Sequence, residues 1–233
     1  MQFRAVRQPF ALGGVLYREG TSCDRLHLRA KATIIRKVVS DCRATLGDFG
    51  KMKYYKKITL KDGRECYLRN GTENDGQSVY DNFNLTHEQT DFLLSYPDEN
   101  SMNAEEEAKF LKEKTESENE IEVIAEVDGK VVGCAGIESV GKKFKVKHRT
   151  VLGISVDKNY WRLGIGRALI EACIECAKKA GYEQMELDVV GDNKAAIALY
   201  ESVGFVEYGR NPKGFRSRFS GWQEIVLMRL ELN

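Results

Sequence analysis

Two glycines in one short stretch constrain this chain more than any other feature. Residues 149–156, Arg-Thr-Val-Leu-Gly-Ile-Ser-Val, read as a strand, and after a brief link comes Trp161-Arg162-Leu163-Gly164-Ile165-Gly166-Arg167. The residues that follow have a helical period, with Leu169, Cys173, Cys176 and Ala180 on one face of a helix expected over 164–180. A strand that passes through a glycine turn into a helix aims the helix's unpaired N–H groups, and its partial positive charge, beyond the strand end. Glycine lets the backbone approach a ligand closely. Such a turn suits a pyrophosphate, and Lys158, Arg162 and Arg167 can add charge-assisted contacts. It is not a P-loop, because Arg167-Ala168 follows Gly166 where Lys-Ser/Thr is required. Nor is it a Rossmann fingerprint, because Leu169 stands where Gly or Ala belongs.

The neighbouring segments fix the fold class. Residues 55–60 and 65–69 read as two strands joined by Lys61-Asp62-Gly63-Arg64. Residues 121–127 and 130–138 read as a hairpin through Asp128-Gly129, a dipeptide that permits the type I′ turn. Thr86-His87-Glu88-Gln89 and Asn103-Ala104-Glu105-Glu106 both fit the capping box, which predicts helices starting near His87 and Ala104. The second, over 104–115, is expected to turn its Glu and Lys residues to solvent around the anchors Phe110 and Leu111. A strand over 184–190, a helix over 193–203 and strands over 205–209 and 224–232 complete the pattern. Helices, then three strands, then strands alternating with helices predict an α/β fold with a central mixed β-sheet flanked by helices. No internal repeat or low-complexity segment interrupts it.

The glycine turn is followed at a suitable distance by Asp188-Val189-Val190-Gly191-Asp192-Asn193-Lys194-Ala195-Ala196-Ile197-Ala198-Leu199-Tyr200-Glu201-Ser202-Val203-Gly204-Phe205. Together the two segments resemble the acetyl-CoA-binding core of the GNAT superfamily of N-acetyltransferases. The turn is similar to the family pattern Q/R-x-x-G-x-G/A, and the second segment to Asn…Ala-x-x-Leu-Tyr-x-x-x-Gly-Phe. The resemblance runs over roughly 57–233 and is dense from 151 to 205. The 188–205 segment also resembles the bacterial ribosomal-protein alanine acetyltransferases.

The resemblance implies acetyl-CoA as co-substrate, its pantetheine paired along the backbone of Ile154, Ser155 and Val156. It places the pyrophosphate on Trp161, Arg162, Leu163, Gly164, Ile165, Gly166 and Arg167, and a pantetheine contact on Asn193. The backbone N–H of Ile154 would face the thioester oxygen, where an oxyanion needs a preorganised donor. Tyr200 matches the family's general acid; a phenol of pKa ~10 can protonate a departing thiolate of pKa ~8.5. At pH 7 only about one amine in two thousand is neutral if its pKa is ~10.4, so a base is useful. Asp188 occupies the place of a Glu base in the alanine acetyltransferases; being shorter, it can act through a bridging water. Glu138 and water are the alternatives. Trp161 departs from the family's usual Gln or Arg, with Arg162 beside it to compensate. The implied reaction is direct transfer of an acetyl group to a primary amine of a small molecule or protein. No motif positions a nucleophilic Cys or Ser for a covalent intermediate. The alternative is a non-catalytic acyl-CoA-binding or regulatory module on the same fold.

Composition bears on boundaries and partners. The net charge is +1, but residues 1–51 carry seven Arg and three Lys against four acids, a net of +6. That break suggests an N-terminal arm, disordered or non-native, ahead of a domain over 52–233. The apolar stretch 10–17 is short, contains a Gly pair and lacks an A-x-A-like exit site, so it is not read as an export signal. Six widely spaced Cys suggest reduced thiols and a cytoplasmic location. No apolar run approaches the ~20 residues that span a bilayer. Cys173-x-x-Cys176 lies on the apolar helix face and reads as core, and His27, His87 and His148 form no metal-ligand cluster, so no metal is expected. Arg210, Lys213, Arg216 and Arg218, interleaved with Phe215 and Phe219, are patterned like a nucleic-acid surface, but a substrate-side loop before the last strand accounts for them as well. Nucleic acid and membrane are therefore not expected partners; a homodimer is left open.

Overall fold

A computed structural model of the protein describes residues 51–232. The arm expected over residues 1–51 lies outside these residues but for Lys51.

Among the described residues, eight strands form one sheet in the order β1-β2-β3-β4-β5-β6-β8-β7: β1 (Tyr55–Thr59), β2 (Glu65–Asn70), β3 (Ile121–Val127), β4 (Lys130–Ser139), β5 (Arg149–Val156), β6 (Gln184–Val190), β7 (Val206–Ser217) and β8 (Gly221–Glu231). Neighbours are antiparallel except β5 and β6, which run parallel because helix α3 (Ile165–Lys179) carries the chain across between them. The β3–β4 hairpin turns on Asp128 (φ 51°) and Gly129 (φ 75°), the left-handed pair that a type I′ turn requires.

The strands' alternation sends successive side chains to opposite faces. Val123, Ala125 and Val127 of β3 join the larger core beneath α3, with Leu169, Cys173 and Cys176 fully buried. Ile124, between them in sequence, packs on the other face with Val79, Leu111 and Cys134, under helices α1 (Gly76–Glu88) and α2 (Ala104–Glu116). Burial on both faces explains why β3 reads as a near-continuous apolar run. The four described cysteines, Cys66, Cys134, Cys173 and Cys176, are free and buried.

Three expectations need correction. The helix expected to begin at His87 ends there. It starts at Gly76, and Thr86 sits in its last turn with Oγ1 donating to the Phe83 carbonyl (3.1 Å). Gly76 permits that start: a Cβ there would stand 2.6 Å from the Ala104 carbonyl and 2.7 Å from Ala108 Cβ, so α1 crosses α2 at glycine. A capping-box pattern identifies a hydroxyl and an amide at the right spacing, not the side of the helix on which they lie.

Second, α2 begins at Ala104 with a complete Asn103–Glu106 capping box, yet its charges are not all solvated. Glu107 and Lys114 are buried, and Lys114 Nζ holds Glu120 (2.8 Å) and Glu138 (2.9 Å). Third, residues 210–221 are not a loop but the continuation of the β7–β8 hairpin, with ladder shifts near 207–209 and 211–215. The basic cluster there is partly neutralised: Arg210 pairs with Glu207 and Glu224, and Arg218 with Asp98 and Glu99.

Candidate active site

The parallel ladder between β5 and β6 is short. It joins Arg149 to Gln184, Thr150 to Met185 and Val151 to Glu186, and stops. Beyond it β5 runs on to Val156 still paired to β4, and β6 runs on to Val190 still paired to β8. Each strand is held on its far side, so the two part on their near sides and open the sheet. A cleft of about 540 Å³ occupies this region.

Ile154, Ser155 and Val156 line the cleft, as do Asp188, Asn193 and Tyr200. Trp161, Arg162, Gly164, Gly166 and Arg167 line it from the turn that enters α3. Leu163 and Ile165 turn their side chains to the core instead: Ile165 is buried, and Leu163 packs against the same cluster. The sequence thus placed eleven of its candidates around one space although they lie on four separate elements.

The turn is conformationally special. Gly164 (φ 104°) is the left-handed N-cap of α3, and Arg162 (φ 65°) adopts a left-handed conformation that side chains favour little. Such strain persists where surrounding contacts impose it, often at binding sites. Gly166 answers a different need, since a Cβ there would meet Leu199 Cδ2 of α4 (Lys194–Ser202) at 3.3 Å. Trp161 is 43% exposed and donates its indole N–H to the Val156 carbonyl (2.8 Å). Its one polar atom therefore braces the turn against the end of β5. Arg167 bonds Ser202 Oγ (2.6 Å), tying α3 to α4.

A latch beneath the turn escaped sequence reasoning. Asp157, wholly buried, accepts from Gln89 Nε2 (2.9 Å), Asn159 N (3.0 Å) and Lys130 Nζ (3.3 Å). Burial alone would raise this carboxyl, but these donors hold it below the ordinary aspartate value. Gln89, capping the end of α1, also accepts from Lys158 N (2.7 Å). Only the fold brings residues 89, 130 and 157 together.

Tyr200 on α4 is 6% exposed, its ring edge-on to Phe205 at 5.8 Å between centroids. Burial pushes its phenol well above the ordinary tyrosine value, so at neutral pH the group carries its proton. Asp188, half-buried on β6, is raised above the ordinary aspartate value by burial and then by the Glu186 charge. Asn193 caps α4 through Oδ1, which accepts from Ala196 N (3.2 Å). Glu138 is held by Lys114 and is not among the cleft-lining residues.

Several cleft-lining residues carried no functional signal in the sequence: Lys61 from the β1–β2 turn, Thr86 from α1, and Thr90, Phe92 and Leu93 after it. Between the last three, Asp91 faces away and is gripped by the β7–β8 turn. It accepts from Ser217 Oγ (2.6 Å), Ser220 Oγ (3.0 Å), Gln223 Nε2 (3.2 Å) and Tyr96 Oη (3.0 Å). No periodic pattern links residue 91 to residues 217–223, so this clamp was invisible in one dimension.

Known proteins share this fold, in which the sheet parts between two parallel strands. The model of the acetyltransferase (GNAT) family matches residues 82–205, and the chain belongs to that family. The [ribosomal protein bS18]-alanine N-acetyltransferase of Escherichia coli K12 is 38% identical over 84 residues, which are 36% of this chain and 56% of that enzyme. The chain therefore spans little more than half the length of that relative. The structure of a GNAT-family acetyltransferase from Streptococcus pneumoniae superposes with a TM-score of 0.68 at 29% identity, covering 71% of this chain and 99% of that one. The yncA protein of Salmonella typhimurium, solved with its cofactor acetyl-CoA, shares the fold (TM-score 0.65, 18% identity, covering 72% and 94%).

Among the described residues no helix is long and apolar enough to cross a membrane, and no group of three or more His, Cys, Asp or Glu is placed to hold a metal ion.

Proposed function

We propose that residues 52–233 form an N-acetyltransferase domain that moves an acetyl group from acetyl-CoA directly to a primary amine. The observation that carries this reading is the convergence in one cleft of the α3 turn, the parted end of β5, a protonated buried tyrosine and a carboxylate of raised pKa.

The turn at 161–167 takes the pyrophosphate on backbone N–H groups at the start of α3. The backbone of Ile154, Ser155 and Val156 pairs with pantetheine as an added strand would, and Asn193 meets the same arm from α4. Asp188, directly or through a water, accepts the proton of the attacking amine; its raised pKa brings it nearer to neutral, where a base works best. The amine nitrogen bonds to the thioester carbon, and the Ile154 N–H stabilises the oxyanion. The C–S bond then breaks and Tyr200 gives its proton to the departing sulfur. Desolvation that raises the phenol also raises a thiolate in the same cleft, so the two remain matched.

The acceptor is a small-molecule or protein amine, the latter favoured by the alanine N-acetyltransferase relative. A cytoplasmic location accords with four free, buried cysteines.

Free-thiol release from acetyl-CoA, measured with a panel of peptides bearing different N-terminal residues, polyamines and amino acids, tests the proposal. Amine-dependent thiol release supports it. Tight CoA binding without turnover on any amine would instead support an acyl-CoA-binding module.

A further inference from the structure

The cleft's cations are not equivalent. Arg167 is committed to Ser202 and lies 3.8 Å from Glu171. Trp161, at the head of the turn, carries no charge, and its indole N–H is used on Val156. Lys61 enters the same cleft from the β1–β2 turn, about a hundred residues upstream.

That turn is docked firmly. Lys61 N donates to the Leu163 carbonyl (3.2 Å), inside the glycine turn itself. Arg64 lies over the Tyr160 ring at 4.9 Å, and Leu60 is buried. The adjacent carboxylate, Asp62, is engaged by Arg64 through Nε (2.9 Å) and Nη2 (2.7 Å). Among the described residues no carboxylate pairs with the Lys61 ammonium. A cation fixed by its backbone beside an anion-binding turn, with its local acid diverted to another partner, has a surplus positive charge directed at that turn's ligand.

We propose that Lys61 is a binding residue for the phosphates of coenzyme A, adding from the β1–β2 hairpin a second side-chain charge to that of Arg162 in the turn itself. This rests on the acetyl-CoA reading of the cleft. It makes the hairpin part of the cofactor site and gives a reason for its Asp62–Arg64 fork, which keeps the lysine unneutralised.

Calorimetric titration of Lys61→Ala and Lys61→Arg in the full chain, against CoA, 3′-dephospho-CoA and pantetheine, tests it. Lys61→Ala should weaken CoA about tenfold, Lys61→Arg should retain most of the affinity, and pantetheine, which has no phosphate, should be unaffected. An equal loss for CoA and dephospho-CoA places the contact on the pyrophosphate; a loss confined to CoA places it on the 3′-phosphate. Unchanged CoA affinity in Lys61→Ala, or an equal loss for pantetheine, overturns the proposal. Absence of CoA binding by the unaltered protein would instead refute the acetyl-CoA reading itself, so the two failures are distinguishable.

Discussion

Replacing Tyr200 by Phe removes one hydroxyl and leaves the ring. The ring is the structural part of the residue, 6% exposed and edge-on to Phe205, and nothing described in the fold hydrogen-bonds to the hydroxyl. Folding should therefore tolerate the change, with a melting shift of no more than about 2 °C, as expected for a substitution worth under ~0.5 kcal/mol. Acetyl-CoA affinity should likewise hold within about twofold, because packing against the cleft is retained. The chemical step should not be spared. Loss of a positioned general acid costs roughly 10²–10⁴ in rate, which corresponds to about 2.7–5.5 kcal/mol in the barrier. Since burial keeps the phenol protonated well past neutral pH, the defect should persist across the neutral and mildly alkaline range. Steady-state thiol release, a melting curve and calorimetric acetyl-CoA titration on one preparation decide the matter. A kcat within threefold of the parent would refute the assigned role, and a large melting shift with normal turnover would make Tyr200 purely structural.

Asp188→Asn should lower kcat/KM for the amine and remove an acid limb centred above the ordinary aspartate value, while leaving the melting temperature at pH 7 unchanged or raised. The sign follows from the raised folded pKa: ionised Asp188 is a cost to folding once pH exceeds that value, and Asn relieves it; a stability loss with an intact pH profile would exclude the base. Asp91→Ala should raise the amine KM severalfold and leave acetyl-CoA affinity alone, because the clamp it forms with Ser217, Ser220 and Gln223 holds Thr90, Phe92 and Leu93; equal effects on both ligands in steady-state kinetics would contradict this. Asp75 should govern acid stability: burial opposes ionisation, but Arg69 and Thr72 hold its carboxyl down to about 2. The stabilisation is then present above about pH 4 and lost as pH falls towards 2; denaturant melts from pH 5 to 2 should show a flatter profile for Asp75→Asn. A protein trimmed to residues 52–233 should still melt cooperatively and bind CoA, since the eight described strands and the two described cores lie within these residues; loss of cooperative melting would make the preceding residues structural.

The sequence by itself determined most elements and much of the lining of the cleft. The β3–β4 turn, the Asn103 cap, the span of β5 and the passage from β5 through Gly164 into α3 are local events. Each is set by neighbouring residues through φ preferences, capping and periodicity, and each was read within a residue or two. Tyr200 and Asp188 entered as candidates through the family resemblance, whose motif is one-dimensional, and the structure lines the cleft with both.

Only the tertiary structure decided where α1 begins, because Gly76 is dictated by α2 crossing at Ala104, not by its own neighbours. It likewise decided that Lys114 and Glu107 are buried, that the 210–221 segment is a hairpin, and that Asp157, Gln89 and Lys130 form one latch. The wall of the cleft formed by residues 90–93 was illegible for the same physical reason. Thr90, Phe92 and Leu93 are placed by Asp91, whose partners on the β7–β8 hairpin lie more than 120 residues away in sequence, and a contact between distant segments leaves no period in either.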